Sequence, residues 1–197
     1  MMIIKWLLTN YIEVLGAISG LIYLYFSIRQ IIWLWPLGIV TSVLYVFVFF
    51  KARFYADMSL QVYYFFISIY GWYHWLYGSG KKNRDDQIPV AGISLKMWLI
   101  LVAISLVLTV ISGYVLDNYT DSPMPYLDAF TTSASIVATW MLARKIIENW
   151  LFWIVIDAVS TGMYIYKGLY PTVILFLVYT FMAFIGYRQW KQDLVRN

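Results

Sequence analysis

The sequence predicts an all-α integral membrane protein of seven transmembrane helices, laid out as two parallel three-helix repeats joined by a linker helix (a 3+1+3 plan). Three observations carry this. The chain is 62% hydrophobic and only 12% charged, whereas a soluble domain has about a quarter of its residues charged. The few charges cluster between apolar runs of about 20 residues, the length that crosses a bilayer core. A shift of 115 residues aligns the chain with itself without gaps. A soluble core cannot account for so many apolar runs, because too little polar surface would remain to face water.

The spans are expected at 11–28, 31–50, 58–77, 97–116, 127–143, 147–166 and 171–187. The first carries Gly16 and Gly20, a small-xxx-small spacing that suits close helix packing, and it stops at Arg29-Gln30. The second stops at Lys51 and Arg53, and the third at the long polar segment 78–96, whose Gly, Pro, Lys and Asp content reads as a loop. The fourth is the linker helix, followed by a loop at 117–126 holding Asp117, Asn118, Asp121, Pro123 and Pro125. The fifth carries Thr131, Ser135 and Thr139 at one-turn spacing, again a close-packing pattern. Tight connections separate it from the sixth and the sixth from the seventh. Lys5 precedes too short an apolar stretch for a cleavable signal.

An odd number of spans puts the two termini on opposite sides. One side then carries Lys5, Lys51, Arg53 and Lys167. The other carries Arg29, Lys81, Lys82, Arg84, Lys96, Arg144, Lys145, Arg188, Lys191 and Arg196. By the positive-inside rule the N-terminus is expected outside and the C-terminus in the cytoplasm. The same asymmetry accounts for the net charge of +4 without a nucleic-acid partner.

The 115-residue shift superposes Arg29 on Arg144, Trp35 on Trp150, Tyr55 on Tyr170, Tyr64 on Tyr179, Gly71 on Gly186 and Trp75 on Trp190. Ile31, Ile32, Ile39, Leu60 and Phe66 also fall on identical residues. Matched Trp, Tyr, Gly and Arg are hard to obtain by chance in an apolar chain. Residues 11–77 and 127–190 are therefore read as the two repeats and 97–116 as the linker. An even number of helices separates the starts of the two copies, so both point the same way. Parallel repeats are a known transporter layout, with the substrate near the midplane between them.

Polar groups within spans are costly and mark function. In the third span Asp57, Gln61, Tyr64, Ser68, Trp72 and Trp75 fall within about 80° of one helical face. In the sixth, Asn149, Trp153, Asp157, Ser160 and Tyr164 do the same, with Trp150 flanking. Asp157 lies about ten residues into its span, roughly 15 Å deep. No Lys or Arg lies at matching depth in another span. Its carboxylate is read either as the partner of a cationic ligand or as a hydrogen-bonded packing group. Trp150 and Trp153 beside it suit a flat, positively charged ring through stacking and cation–π attraction. Trp6, Trp75, Trp98, Trp140 and Trp190, at span ends, read as interfacial anchors. His74 reads as an interfacial hydrogen-bonding residue.

Several chemistries are excluded. The chain has no cysteine and one histidine, so thiolate chemistry and multi-His metal sites are absent. No pair of acidic residues shares a depth, so an intramembrane enzyme is not expected. Gly78-Ser79-Gly80-Lys81-Lys82 is no P-loop, because Trp75 and Lys82 stand where Gly and Ser/Thr are required. Asn118-Tyr119-Thr120 matches a glycosylation acceptor, a tripeptide common by chance.

The stretch from Arg144-Lys145-Ile146-Ile147-Glu148-Asn149-Trp150 to Trp153, with Gly168-Leu169-Tyr170 after it, resembles the PnuC family of vitamin transporters. So do Gln61-Val62-Tyr63-Tyr64 and Tyr70-Gly71-Trp72-Tyr73-His74-Trp75. The resemblance covers nearly the whole chain. It implies a small uniporter in a bacterial inner membrane, similar in plan to the SWEET sugar transporters with an added linker helix. It implies uptake of nicotinamide riboside by facilitated diffusion, without a cofactor, and trapping by a cytoplasmic vitamin kinase. Relatives take up thiamine or riboflavin. Carried over by position, Gln61, Asn149, Trp150 and Trp153 would line the binding site. Riboside members tend to carry Asn where this chain has Ser68 and Asp157, so nicotinamide riboside and thiamine both stay open. The runner-up is a sugar uniporter of the SWEET type, whose site would need few carboxylates and fewer stacked Trp.

Overall fold

A computed structural model of the protein describes residues 11–52, 55–78 and 88–196, with the side chains of 11–16 and 52–57 left undescribed. Trp6, Lys81, Lys82, Arg84 and the side chain of Asp57, all named above, lie outside the described residues. The described residues form seven helices: α1 (Tyr11–Ile28), α2 (Leu34–Ala52), α3 (Tyr55–Tyr77), α4 (Leu95–Tyr119), α5 (Pro125–Ala143), α6 (Asn149–Tyr166) and α7 (Tyr170–Arg196). An 18-residue helix such as α6 is about 27 Å long, close to the thickness of a bilayer core.

The expected spans fall on these helices, and the ends differ for local reasons. Ser94 caps α4, its hydroxyl accepting from the Met97 amide, so that helix starts before the apolar run does. Pro125 opens α5, where its fixed φ is already helical and its missing amide costs nothing. The largest difference is α7. It was expected to stop at 187 and runs on to Arg196, because the polar segment beyond Tyr187 holds good helix formers and no breaker. Hydropathy marks where a helix leaves an apolar medium, not where it ends.

Among the described residues, three helices are long and apolar enough to cross a membrane by length and composition alone: Leu34–Lys51, Leu95–Tyr119 and Tyr170–Arg196. The others put small and polar residues into protein contacts. The buried residues of α5 include Ser133, Ala134, Ser135, Ala138 and Thr139, side chains small enough to let neighbouring backbones approach. Conversely, α4 exposes Leu99, Ile100, Ile104, Leu106, Val107, Val110 and Ile111, the pattern of a helix that presents its side to lipid.

Packing is pairwise. α2 lies along α3, α6 along α7 and α4 against α5, while α3 meets α5 and α1 meets α7. Two tryptophan pairs anchor one end. Trp35 and Trp75 meet edge-on with ring centroids 5.4 Å apart, and Trp150 and Trp190 do so at 5.6 Å; both pairs are inclined by 87°. Each edge-on pair contributes about 0.5–1.5 kcal/mol beyond its burial. Glycine makes both pairs possible. A Cβ at Gly71 would meet the Trp35 ring at 2.5 Å, and one at Gly186 would meet the Trp150 ring at the same distance. Trp75 and Trp190 are therefore not the interfacial anchors expected from their place near span ends. They are 5% and 0% exposed and belong to the core. Sequence position gives depth along the membrane normal but not the direction in which a ring points.

Candidate functional site

The residues singled out from the sequence fall into two groups, one on α3 and one on α6. On α3, Tyr64 is half-buried and shares a side-chain hydrogen bond with Ser135 of α5. Its neighbour Tyr63 donates to the Ile136 carbonyl at 2.7 Å. Ser68, one turn further along, is buried, and its hydroxyl lies where a Cβ on Gly38 would meet it at 2.8 Å. Tyr23 of α1 approaches the same glycine. Gln61 is half-buried one turn before Tyr64.

On α6, Asn149 is completely buried at the start of the helix. Its amide donates to the Ile146 carbonyl at 2.6 Å, and its Oδ1 is buried without a hydrogen-bond partner. A buried amide oxygen of that kind needs a donor, from water or from a ligand. Trp153 is half-buried and packs between the two apolar clusters of the bundle. One turn on, Asp157 is 6% exposed. The Thr161 hydroxyl donates to its backbone carbonyl at 2.7 Å and leaves the carboxylate alone. Among the described residues no Lys or Arg forms an ion pair with Asp157; Lys167 pairs with Asp128 instead, at 3.7 Å. Ser160 is buried on the same face.

Two expected residues sit apart from these groups. Trp72 is 39% exposed. Each step of four along α3 turns the stripe by about 40°, so Trp72 lies at its trailing edge while Ser68 and Trp75 stay buried. Trp150 is 1% exposed and enclosed by Trp190 and Gly186, which leaves its ring faces in protein contacts. Its Nε1 is buried without a partner, as is that of Trp35.

The structure also adds residues that the sequence reading passed over. Ser42 is buried on α2. Tyr179 on α7 faces Gly20 so closely that a Cβ there would clash with its hydroxyl, and it lies within electrostatic reach of Asp157 and Tyr45. A signal for these was available. Ser42 precedes Asp157 by 115 residues, Tyr64 precedes Tyr179 by 115, and Gly20 precedes Ser135 by 115. Chemically, the centre offers hydroxyls, amides, one half-buried indole and one carboxylate. It has no group of three or more His, Cys, Asp or Glu able to hold a metal among the described residues. A separate apolar cavity of about 270 Å³ lies between α4, α5 and α6, lined by Trp98, Val102, Phe130 and Phe152 among others, and does not reach Asp157.

Comparison with known proteins places this arrangement. The family model described as nicotinamide mononucleotide transporter matches residues 10–192. The nicotinamide riboside transporter PnuC of Escherichia coli (strain K12) is 26% identical, with 92% of this chain and 85% of that protein aligned. The riboflavin/roseoflavin transporter RibM of Streptomyces davaonensis is also 26% identical, over 90% of this chain and 83% of its own. The crystal structure of the vitamin B3 transporter PnuC shares the fold, with a TM-score of 0.76 at 21% identity over 99% of this chain and 86% of that one.

Proposed function

The chain belongs to the nicotinamide mononucleotide transporter family, the PnuC transporters, and we propose that it is a uniporter for a vitamin with a cationic aromatic ring, nicotinamide riboside first. It is a multi-pass membrane transporter, not an enzyme. The observation that carries the finer reading is Asp157: a carboxylate buried at the middle of α6, on one stripe with Trp153 and Asn149 and without an ion-pair partner among the described residues. A charge at that depth requires compensation. A positively charged ring supplies it, with Trp153 offering a π face and the orphaned Asn149 Oδ1 accepting from a ribose hydroxyl. Gln61, Tyr64 and Ser68 line the opposite wall. Trp150 supports the site through its packing on Trp190, and Trp72 borders it. The E. coli and Streptomyces relatives carry different vitamins by name. Riboflavin has no positive charge for Asp157 to meet, which favours the riboside. Thiamine is a second reading on the same observation, because its ring is cationic too.

The 3+1+3 plan of parallel repeats supports this reading. α3 against α5 and α7 against α1 are equivalent contacts under the 115-residue shift, as are the two tryptophan pairs. The excess of Lys and Arg on one side favours the N-terminus outside and the C-terminus in the cytoplasm of a bacterial inner membrane. There a vitamin kinase would trap the product by phosphorylation. With no second carboxylate, Lys or Arg paired with Asp157 among the described residues, coupling to protons is not expected. The test is uptake in proteoliposomes. At zero potential nicotinamide riboside should equilibrate and not accumulate, and a membrane potential should shift the distribution by about 2.3 kcal/mol per charge per 100 mV. Accumulation driven by a pH step alone would overturn the uniport mechanism.

A further inference from the structure

The end of the bundle beneath Asn149 is closed by an element that the transport reading has not used. Residues 88–94, leading into α4, lie as an extended strap across the turn between α5 and α6. The Ala91 amide donates to the Lys145 carbonyl at 3.0 Å, and the Ile147 amide donates to the Ala91 carbonyl at 2.9 Å, forming a parallel bridge between Ala91 and Ile146. The Ile93 amide adds a bond to Glu148 Oε1 at 3.1 Å. Side chains alternate along the strap: Ile88 and Val90 are buried, Pro89 and Ala91 exposed. The Val90 side chain enters the cluster that contains Trp35 and Trp75 from the first three helices and Trp150 and Trp190 from the last three. Val90 thus brings the strap into the cluster where the two groups of helices meet.

Lys145, at the same turn, is 1% exposed. Its Nζ lies 4.5 Å from the centroid of the Trp75 ring and donates to Gln30 Oε1 at 2.9 Å. Gln30 in turn donates from Nε2 to Asp193 Oδ2 at 2.8 Å, and Trp190 Nε1 donates to the Ser27 carbonyl at 3.2 Å. The turn between α1 and α2 is tied in this way to the turn between α5 and α6 and to the end of α7. Gln30 and Lys145 stand 115 residues apart and share a rare left-handed backbone, with φ of 54° and 53°. Neither is a glycine, and non-glycine residues held in that region cluster where a chain stores strain for function.

We propose that Val90 on its strap and the Lys145–Gln30–Asp193 chain form the gate at this end of the transporter, and that the gate opens when the strap leaves the α5–α6 turn. The inference rests on the transport reading but assigns different residues. Asp157 lies eight residues along α6 from Asn149, about 12 Å above the turn, so a ligand there must pass this gate to leave by this end. The contacts suit reversible closure: a few backbone bonds, one inserted valine and one polar chain, rather than a large apolar interface. The arrangement is one-sided. Among the described residues, the equivalent turn at Arg29–Ile31 has no strap of its own.

The chain contains no cysteine, so a paired substitution can lock the strap. Bridged residues are close enough for a disulfide, and Ala91→Cys with Ile146→Cys should cross-link on oxidation. In proteoliposomes the oxidised protein should exchange labelled nicotinamide riboside about tenfold or more slowly than its reduced form. It should still bind ligand in detergent. Equal exchange rates for the cross-linked and reduced forms would overturn the proposal. A second measurement needs neither substrate nor a disulfide. Ala143 is fully buried in the same cluster, so alkylation of an Ala143→Cys variant reports opening. Adding Lys145→Met should raise the alkylation rate about tenfold by favouring the open state; an unchanged rate would sink the gate. Because this readout uses no vitamin, it decides the gate separately from the substrate: a wild-type protein that neither binds nor exchanges the riboside would refute the vitamin reading alone.

Discussion

α1–α3 and α5–α7 share a tryptophan–glycine packing motif and differ in the residues that stand at corresponding positions further along. Near one end they pack alike: Trp35 on Trp75 beside Gly71, and Trp150 on Trp190 beside Gly186. Towards the middle they part. Where the last three helices have Trp153 and Asp157, the first three have Gly38 and Ser42; where the first three have Gln61 and Ser68, the last three have Phe176 and Ala183. The packing constraint falls on both copies alike, because a ring fitted against a bare glycine backbone tolerates no added carbon. The lining has no such constraint. An asymmetric ligand, with a charged ring at one end and a polar body at the other, is served by letting the two walls diverge. In the proposed site the α6 wall alone carries a carboxylate and an indole, while the α3 wall offers the Gln61 amide and the Tyr64 and Ser68 hydroxyls.

The largest expected difference between the walls lies at Asp157 and Ser42. Asp157→Asn should weaken nicotinamide riboside binding by about 1.5–3 kcal/mol, the value of a charge-assisted hydrogen bond. That is about 10- to 150-fold, read by calorimetry on the purified protein. Ser42→Ala should change the affinity by less than about 1 kcal/mol. Comparable losses at both positions would erase the distinction between the walls.

The shared packing motif predicts the opposite pattern. Gly71→Ala and Gly186→Ala each force a carbon to within 2.5 Å of a buried indole, an overpacking cost of about 1–3 kcal/mol. The two losses should be similar when thermal unfolding is followed in detergent. A severe loss at one glycine and none at the other would show that the halves bear load differently.

Smaller effects sharpen the picture. Tyr64→Phe removes the hydroxyl that bonds to Ser135 and should cost about 0.5–1.5 kcal/mol of stability. Ser135→Ala should cost about as much, and the double variant little more than either, because both delete one bond. At the far edge of α5, Lys167→Ala breaks an ion pair whose partners are 28% and 33% exposed. Its effect should stay below about 1 kcal/mol and shrink as salt is added.

Much of this was legible in the sequence, and particular residues show where legibility stopped. The helices could be read because apolar length and polar punctuation are one-dimensional properties. Asp157 could be read because a carboxylate in the middle of an apolar run is conspicuous wherever its side chain points. The directions of rings could not. Trp75 and Trp190 had the depth of interfacial anchors and proved to be core, while Trp72 shared a stripe with Ser68 and ended up more exposed than it. A helical wheel locates a residue to within tens of degrees, and the boundary between core and lipid is drawn by the neighbours. Lys145 was invisible for a different reason. In the sequence it is one of ten basic residues on one side; its burial follows from a tertiary meeting with Gln30, Asp193 and Trp75. The strap at 88–94 was hidden inside a polar loop, because the alternation of Ile88, Pro89, Val90 and Ala91 is too short to read as a strand.

The central proposal is that Asp157 recognises charge, and one comparison tests that most directly. Binding of a cationic ligand and of a neutral isostere with the same ring is measured for the wild-type protein and for Asp157→Asn. The account predicts that the wild type prefers the cation and that the substitution removes most of that preference, by about 10-fold or more, while the isostere binds both proteins alike. Equal losses for the two ligands would mean that Asp157 serves helix packing, and recognition of the positive ring would have to be sought elsewhere in the bundle.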